Sequence, residues 1–188
     1  MPIIVEPYDP QWPISFQALR TELTTALFLV PFLSIEHVGS TSVPGLAAKP
    51  ILDIDVIVAR PHVAAAIAAL EARLGYTNMG EWGVPDRWAL RRAPEVPARN
   101  LYVVVEGCQA VRNHLAVRDV LRNDWGLRKE YARVKMALAG RTQDLDEYVE
   151  GKSEVIMVIL GKGGFGGEEL EEIRNRNRKP DTKPEDIK

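Results

Sequence analysis

Apolar residues return every three to four positions from Trp12 through Phe16, Leu19 and Leu23 to Leu27, a spacing that places them on one face of a helix. Asp9 followed by Pro10 marks its start. The rhythm then changes. Residues 35–38 are a short apolar run halted by Gly39-Ser40-Thr41-Ser42, as expected for a strand entering a turn. Residues 51–58 are rich in β-branched side chains and are expected as a second strand, interrupted on alternate positions by Asp53 and Asp55. Residues 61–74 are largely alanine, leucine and isoleucine and predict a helix that Gly75 ends. Between residues 80 and 100 the chain turns to Pro, Gly, Trp and Arg, with a weak strand at 88–92. Residues 101–105 make a firmer strand, placed to form a hairpin with it. Helical period then dominates, over about 109–123, 127–139 and 145–160, the last opened by Asp144 with Glu147 three residues on.

This order predicts an α+β domain with a small sheet, helices mainly on one side and a helical C-terminal part. At 188 residues, one domain with a short appendage is expected: residues 1–160 as the domain and 161–188 as a flexible charged tail. The tail opens with Gly161-Lys162-Gly163-Gly164-Phe165-Gly166-Gly167 and has few apolar residues to order it. The formal charge of −2 provides no global positive field for nucleic acid or an anionic membrane, so any phosphate binding must be local. The single cysteine, Cys108, excludes an internal disulfide and a cysteine-rich zinc site. No basic-then-apolar leader and no apolar run of ~20 residues is present, so a cytoplasmic protein without a membrane partner is expected.

Asp53 and Asp55 would share one face of their strand with Cα atoms roughly 6.5 Å apart. Two carboxylates so placed repel one another, and a divalent cation relieves that repulsion; oxygen ligands with few others suit Mg2+ or Mn2+, which also bind triphosphates. The same pair would equally suit a strand end where one acid meets solvent and the other caps a loop. Fourteen residues upstream of Asp53, Gly39 lets a phosphate approach the backbone, and Ser40 and Thr41 offer hydroxyls and amides. Lys49 adds a compact cation between the two motifs.

The run Glu36-His37-Val38-Gly39-Ser40-Thr41-Ser42-Val43-Pro44-Gly45-Leu46, continuing through Lys49-Pro50 to Asp53, resembles the signature of the GrpB family. Further matches are Tyr8-Asp9-Pro10 with Trp12, Leu74-Gly75-Tyr76, the segment from His114 to Arg122, Tyr131 with Lys135, and Tyr148 with Lys152. The resemblance covers about residues 5–160. It implies the nucleotidyltransferase superfamily, whose pattern is Gly-Ser, a spacer, Asp-x-Asp and a third acid on a neighbouring strand, and whose members use two metal ions. Carried over, Gly39 and Ser40 would hold a triphosphate, and Asp53 and Asp55 the metal. Many members of the family lack the second acid, so Asp55 brings this chain closer to the catalytic pattern. Glu106 is the third acid by location, with Glu81 and Asp86 behind it; where the family often has His, this chain has Tyr102. Asn100 would contact substrate or its own turn.

His114, Arg118 and Arg122 recur at i, i+4 and i+8 and form a stripe able to flank an anionic substrate or to pair with nearby acids. Tyr148 and Lys152 share a helix face by the same spacing. Arg87, Arg91, Arg92 and Arg99 form a local basic cluster, either solvated surface or a contact for tRNA. Three functions follow as expectations: a metal-dependent nucleotidyl-type transferase acting on a nucleotide or other phosphorylated molecule, a non-catalytic nucleotide or small-anion binding module, and a repurposed transferase acting on aminoacyl-tRNA.

Overall fold

Alternation along the strands gives the sheet two unlike faces, and the helices sort accordingly. In the computed structural model, which describes residues 3–93 and 96–177, the N-terminal stripe forms helix α1 (Gln11–Ala26), begun where the Asp9 carboxylate accepts the Gln11 N–H at 2.8 Å. Strand β1 (Ser34–Val38) leads through a single 3-10 turn (Ser40–Ser42) to β2 (Leu52–Val58). Helix α2 (Val63–Leu74), β3 (Thr77–Asn78), β4 (Arg87–Arg91) and β5 (Arg99–Val105) follow.

The sheet order is β1-β2-β5-β4-β3. The central pair β2 and β5 is parallel and the remaining pairs are antiparallel, including the expected β4–β5 hairpin. Leu52, Ile54, Val56 and Val58 of β2 and Leu101, Val103 and Val105 of β5 point to one face, where Phe16, Leu19 and Leu23 of α1 and Ile67 and Leu70 of α2 seal them into the main core. The opposite face carries Asp53, Asp55 and Ile57 on β2 and Asn100, Tyr102 and Val104 on β5. Its apolar end is covered by Val111 of helix α3 (Gln109–Asn123).

Beyond α3 come α4 (Trp125–Ala139), α5 (Leu145–Gly151), α6 (Ser153–Lys162) and α7 (Gly167–Asn177). The capping box is present: Asp144 accepts the N–H groups of Asp146 and Glu147. Two features differ from the pattern. The helix expected over 145–160 is broken at Lys152, because the chain packs Gly151 directly on α4; a Cβ there would lie 2.6 Å from Leu138 Cδ2. Residues 167–177, expected within a flexible tail, form α7 instead. Phe165 and Ile173 are buried against Met157 and Leu160, so three or four apolar side chains suffice once a preformed apolar surface receives them. Arg112 pairs with Glu169 across the same contact. Residues 178–188 of the expected tail lie outside the described residues. Among those described, no helix is long and apolar enough to cross a membrane.

Candidate functional site

Asp53 and Asp55 stand one pleat apart on β2, on the face that α1 and α2 leave uncovered, yet their surroundings differ. Asp53 opens on a cavity of about 190 Å3, shared with Ser40, Lys49, Asn100, Lys135 and Lys152. Its Oδ1 accepts from Asn100 Nδ2 at 2.7 Å, as the β2–β5 register, Asp53 beside Asn100, requires. Burial pushes its carboxyl above the usual value, against the lowering effect of that hydrogen bond. Its Oδ2 lies against Gly39, where a Cβ would approach to 2.0 Å. The glycine therefore makes room for the carboxylate itself, a closer constraint than the phosphate approach for which it was singled out. Gly39 also sits at φ 68°, ψ −173°, a conformation essentially confined to glycine.

Asp55 is fully buried at 0% exposure. Its Oδ2 meets His114 Nδ1 at 2.8 Å, while Oδ1 has no hydrogen-bond partner. Burial lowers the affinity of His114 for a proton, but the attraction and hydrogen bond of Asp55 outweigh it, so the imidazole titrates above its ordinary value. Asp55 thus favours the protonated imidazole opposite it.

Three ammonium groups surround the Asp53 cavity. Lys135 arrives from α4 and is 2% exposed; its Nζ donates to Ala47 O and lies 4.6 Å from the centroid of the Tyr131 ring. Lys152, aimed by the α5–α6 break, lies 4.4 Å from the Tyr148 centroid, with Lys49 at 5.6 Å from the same ring. Burial, reinforced by the neighbouring lysine in each case, lowers Lys135 to about 7 and Lys152 to about 8. Burial likewise pushes the Tyr148 phenol up to about 12, so Tyr148 enters the cavity as a neutral hydroxyl. Lys135 was not singled out for the site by the sequence reading. Its signal was present, because Tyr131-x-x-x-Lys135 repeats the spacing of Tyr148-x-x-x-Lys152 and puts each lysine over its own ring.

Other expected site residues are placed elsewhere. Glu106 lies in the turn after β5, its N–H donating to Val58 O, three to five strand residues or roughly 10–17 Å from the two aspartates. Glu81 and Asp86 share that far end: Glu81 accepts the Asp86 N–H at 2.6 Å, and Asp86 pairs with Arg60 at 2.6 Å. Among the described residues no third acid joins the pair: Asn100 takes the place beside Asp53 on β5, and Glu36, opposite Asp55 on β1, is paired with Arg118. Among the described residues, no three or more His, Cys, Asp or Glu side chains are grouped to hold a metal ion. Thr41 is buried and donates to Ile51 O while contacting His37 Nε2, so of the turn hydroxyls only Ser40 faces the cavity. Arg118 is closed by Glu36 and Asp119, each at 2.7 Å, and Arg122 donates to Ser42 O, so both guanidiniums are engaged in holding the turn. Of that stripe, only His114 meets an aspartate of the site. Tyr102, opposite Asp55 on β5, lies between Arg87 and His114.

A mixed sheet presenting Gly-Ser and Asp-x-Asp on one face is the nucleotidyltransferase-like fold. It is shared, at 16% identity and a TM-score of 0.55, with Cid1 in complex with its short product ApU, over 82% of this chain and 49% of that one. The chain belongs to the GrpB family, whose model, GrpB protein, matches residues 2–162. The crystal structure of the conserved protein GrpB from Enterococcus faecalis is similar over 86% of this chain and all of that one, with 32% identity and a TM-score of 0.73. A UPF0157 protein of Pseudomonas aeruginosa is 40% identical over 163 residues, 85% of this chain and 67% of its own length.

Proposed function

We propose that the cavity binds the phosphate chain of a nucleotide and that the protein transfers a group from it to an acceptor. The observation that carries this reading is the convergence of Lys49, Lys135 and Lys152 on a cavity where, among the described residues, Asp53 is the one carboxylate. Three partly desolvated ammonium groups around one acid leave an excess of positive charge, and two of them hold their protons weakly because burial and a neighbouring lysine outweigh the attraction of Asp53. An anion with several charged oxygens satisfies all three, and the Ser40 hydroxyl adds a further donor.

In such a transfer an acceptor oxygen bonds to the sugar-proximal phosphorus while that phosphorus loses its bridging oxygen. Pyrophosphate departs with the electron pair, and the acceptor's proton passes to water. The lysines would hold the departing pyrophosphate, and Asn100 fixes the Asp53 carboxylate at the cavity wall. Asp53, which opens on the cavity, would hold one divalent ion completed by substrate and water oxygens, whereas Asp55, 0% exposed and paired with His114, and Asn100 in the third position argue against a pair of ions. When bound, Mg2+ or Mn2+ would neutralise phosphate charge at the reacting phosphorus.

Calorimetric titration with ATP and Mn2+ tests the reading. Wild type is expected to bind, and Lys135→Met and Lys152→Met each to weaken binding at least tenfold. Because bound phosphate restores the proton affinity of both lysines, binding should take up protons between about pH 7 and 9 and weaken as pH rises through that range. Affinity in both variants equal to that of wild type, or no heat of binding at all, overturns the proposal. The neutral Asn100 favours one second reading, a binding module without turnover; ATP binding without pyrophosphate release would select it.

A further inference from the structure

The four arginines of the basic cluster divide between the two faces of the sheet. Arg99, 3% exposed, donates from Nε to Tyr76 on the core side, and Arg92 reaches Glu22 and Leu74 O. Arg87 and Arg91 instead stand at i and i+4 on β4, with Ala89 between them, on the face that carries Asp53 and Asp55. Neither guanidinium meets a carboxylate among the described residues, and Arg87 Nε is buried without a hydrogen-bond partner. Each rests on an aromatic ring: Arg87 Cζ lies 4.4 Å from the Tyr102 centroid and Arg91 Cζ 5.5 Å from that of Trp82. Arg91 Nη1 also donates to Asn100 Oδ1 at 3.1 Å, so Asn100 joins it to Asp53.

Trp82 is 54% exposed and is held at φ 49°, a left-handed backbone unusual for an aromatic residue. The nearby acids are already engaged, Glu81 by the Asp86 N–H and Asp86 by Arg60. The site face thus has two cationic lobes joined through Asn100 and Asp53: lysines around the cavity, and on β4 two guanidiniums that meet no carboxylate among the described residues, Arg91 lying on the exposed Trp82 indole.

Resting on the transfer reading above, we infer that Arg87, Arg91 and Trp82 form a second subsite that takes the acceptor, and that the acceptor carries a nucleotide unit. A guanidinium matches the planar geometry of phosphate oxygens, two of them about 13 Å apart along β4 can follow a charged backbone, and the indole supplies a platform on which a base stacks. A free nucleoside monophosphate and the terminal nucleotide of a single strand present this same chemistry.

The test titrates wild type, Arg87→Gln/Arg91→Gln and Trp82→Ala with two probes, AMP and a fluorescein-labelled hexa-adenylate, and in parallel with inorganic tripolyphosphate. Expected is a loss of at least tenfold for both nucleotide probes in both variants, with tripolyphosphate affinity within twofold of wild type. Lys152→Met should show the reverse. A hexamer bound at least tenfold more tightly than AMP identifies a strand end as the acceptor, and equal affinities identify a free nucleotide; either outcome supports the subsite. Trp82→Ala removes an exposed side chain and leaves the sheet intact, so it remains informative should the double variant fold poorly. Nucleotide probes bound by Trp82→Ala and by folded arginine variants as by wild type overturn the inference. If wild type fails to bind tripolyphosphate while the arginine dependence of AMP persists, the lysine reading falls and the subsite stands.

Discussion

Gly39→Ala is expected to lower the free energy of unfolding by about 3 kcal/mol or more and to abolish phosphate-chain binding. Two causes add. At φ 68° an alanine is strained by about 1–3 kcal/mol, and its Cβ would lie 2.0 Å from Asp53 Oδ2 and 2.8 Å from Cγ, so the carboxylate must leave its place. Equilibrium urea unfolding measures the first consequence and calorimetry the second. Adding Asp53→Ala to Gly39→Ala removes the colliding carboxylate and should recover most of the steric share, leaving the backbone strain and the 2.9 Å approach of the residue-53 Cβ. An alanine variant as stable as wild type would mean that Asp53 does not pack on the turn, and the geometry of the site would have to be abandoned.

The second large effect lies one pleat further along β2. Asp55→Asn keeps the size of a 0%-exposed side chain and removes the charge opposite His114. Breaking a buried charged pair by neutralising one partner costs about 3–5 kcal/mol, and here the cost depends on pH. The folded-state pKa of His114 is raised above its ordinary 6.5, so the pair's stabilisation is fully present below 6.5 and is lost as pH rises through the folded value. The difference between wild type and variant should therefore be largest near about pH 5.5. It should shrink once the imidazole has lost its proton, leaving the hydrogen bond of a neutral imidazole to a carboxylate, worth about 1.5–3 kcal/mol. Urea unfolding of both proteins across that range measures it. A difference independent of pH would show that His114 and Asp55 do not form an ion pair.

Much of the fold was legible because the signals are local. The stripe from Trp12 to Leu23, the β-branched run of β2 and the Asp144 cap each sit within a few residues of the element they specify, and each element occurs where its pattern lies. The exceptions depend on contacts distant in sequence. Lys152 breaks a periodic helix because Gly151 meets Leu138, and α7 is ordered by the surface that Met157 and Leu160 present to Phe165 and Ile173. Propensity along α7 could not reveal this, since the apolar area it buries belongs to another helix.

For the site, alternation alone determined that Asp53 and Asp55 share a face, and the GrpB signature tied the Gly39-Ser40 turn to them. Strand pairing then decided which groups join them. Parallel register between β2 and β5 sets Asn100 beside Asp53 and carries Glu106 to the far end. The pleat of β4 and β5 separates Arg87 and Arg91 from Arg99, and Lys135 comes from a helix more than eighty residues beyond Lys49 in the chain. Spacing within a segment fixes the direction of side chains relative to their own backbone, and a linear chain carries that directly. Which charges lie close enough to exchange protons or share an anion depends on distances across strands and helices, and those exist only once the core has closed.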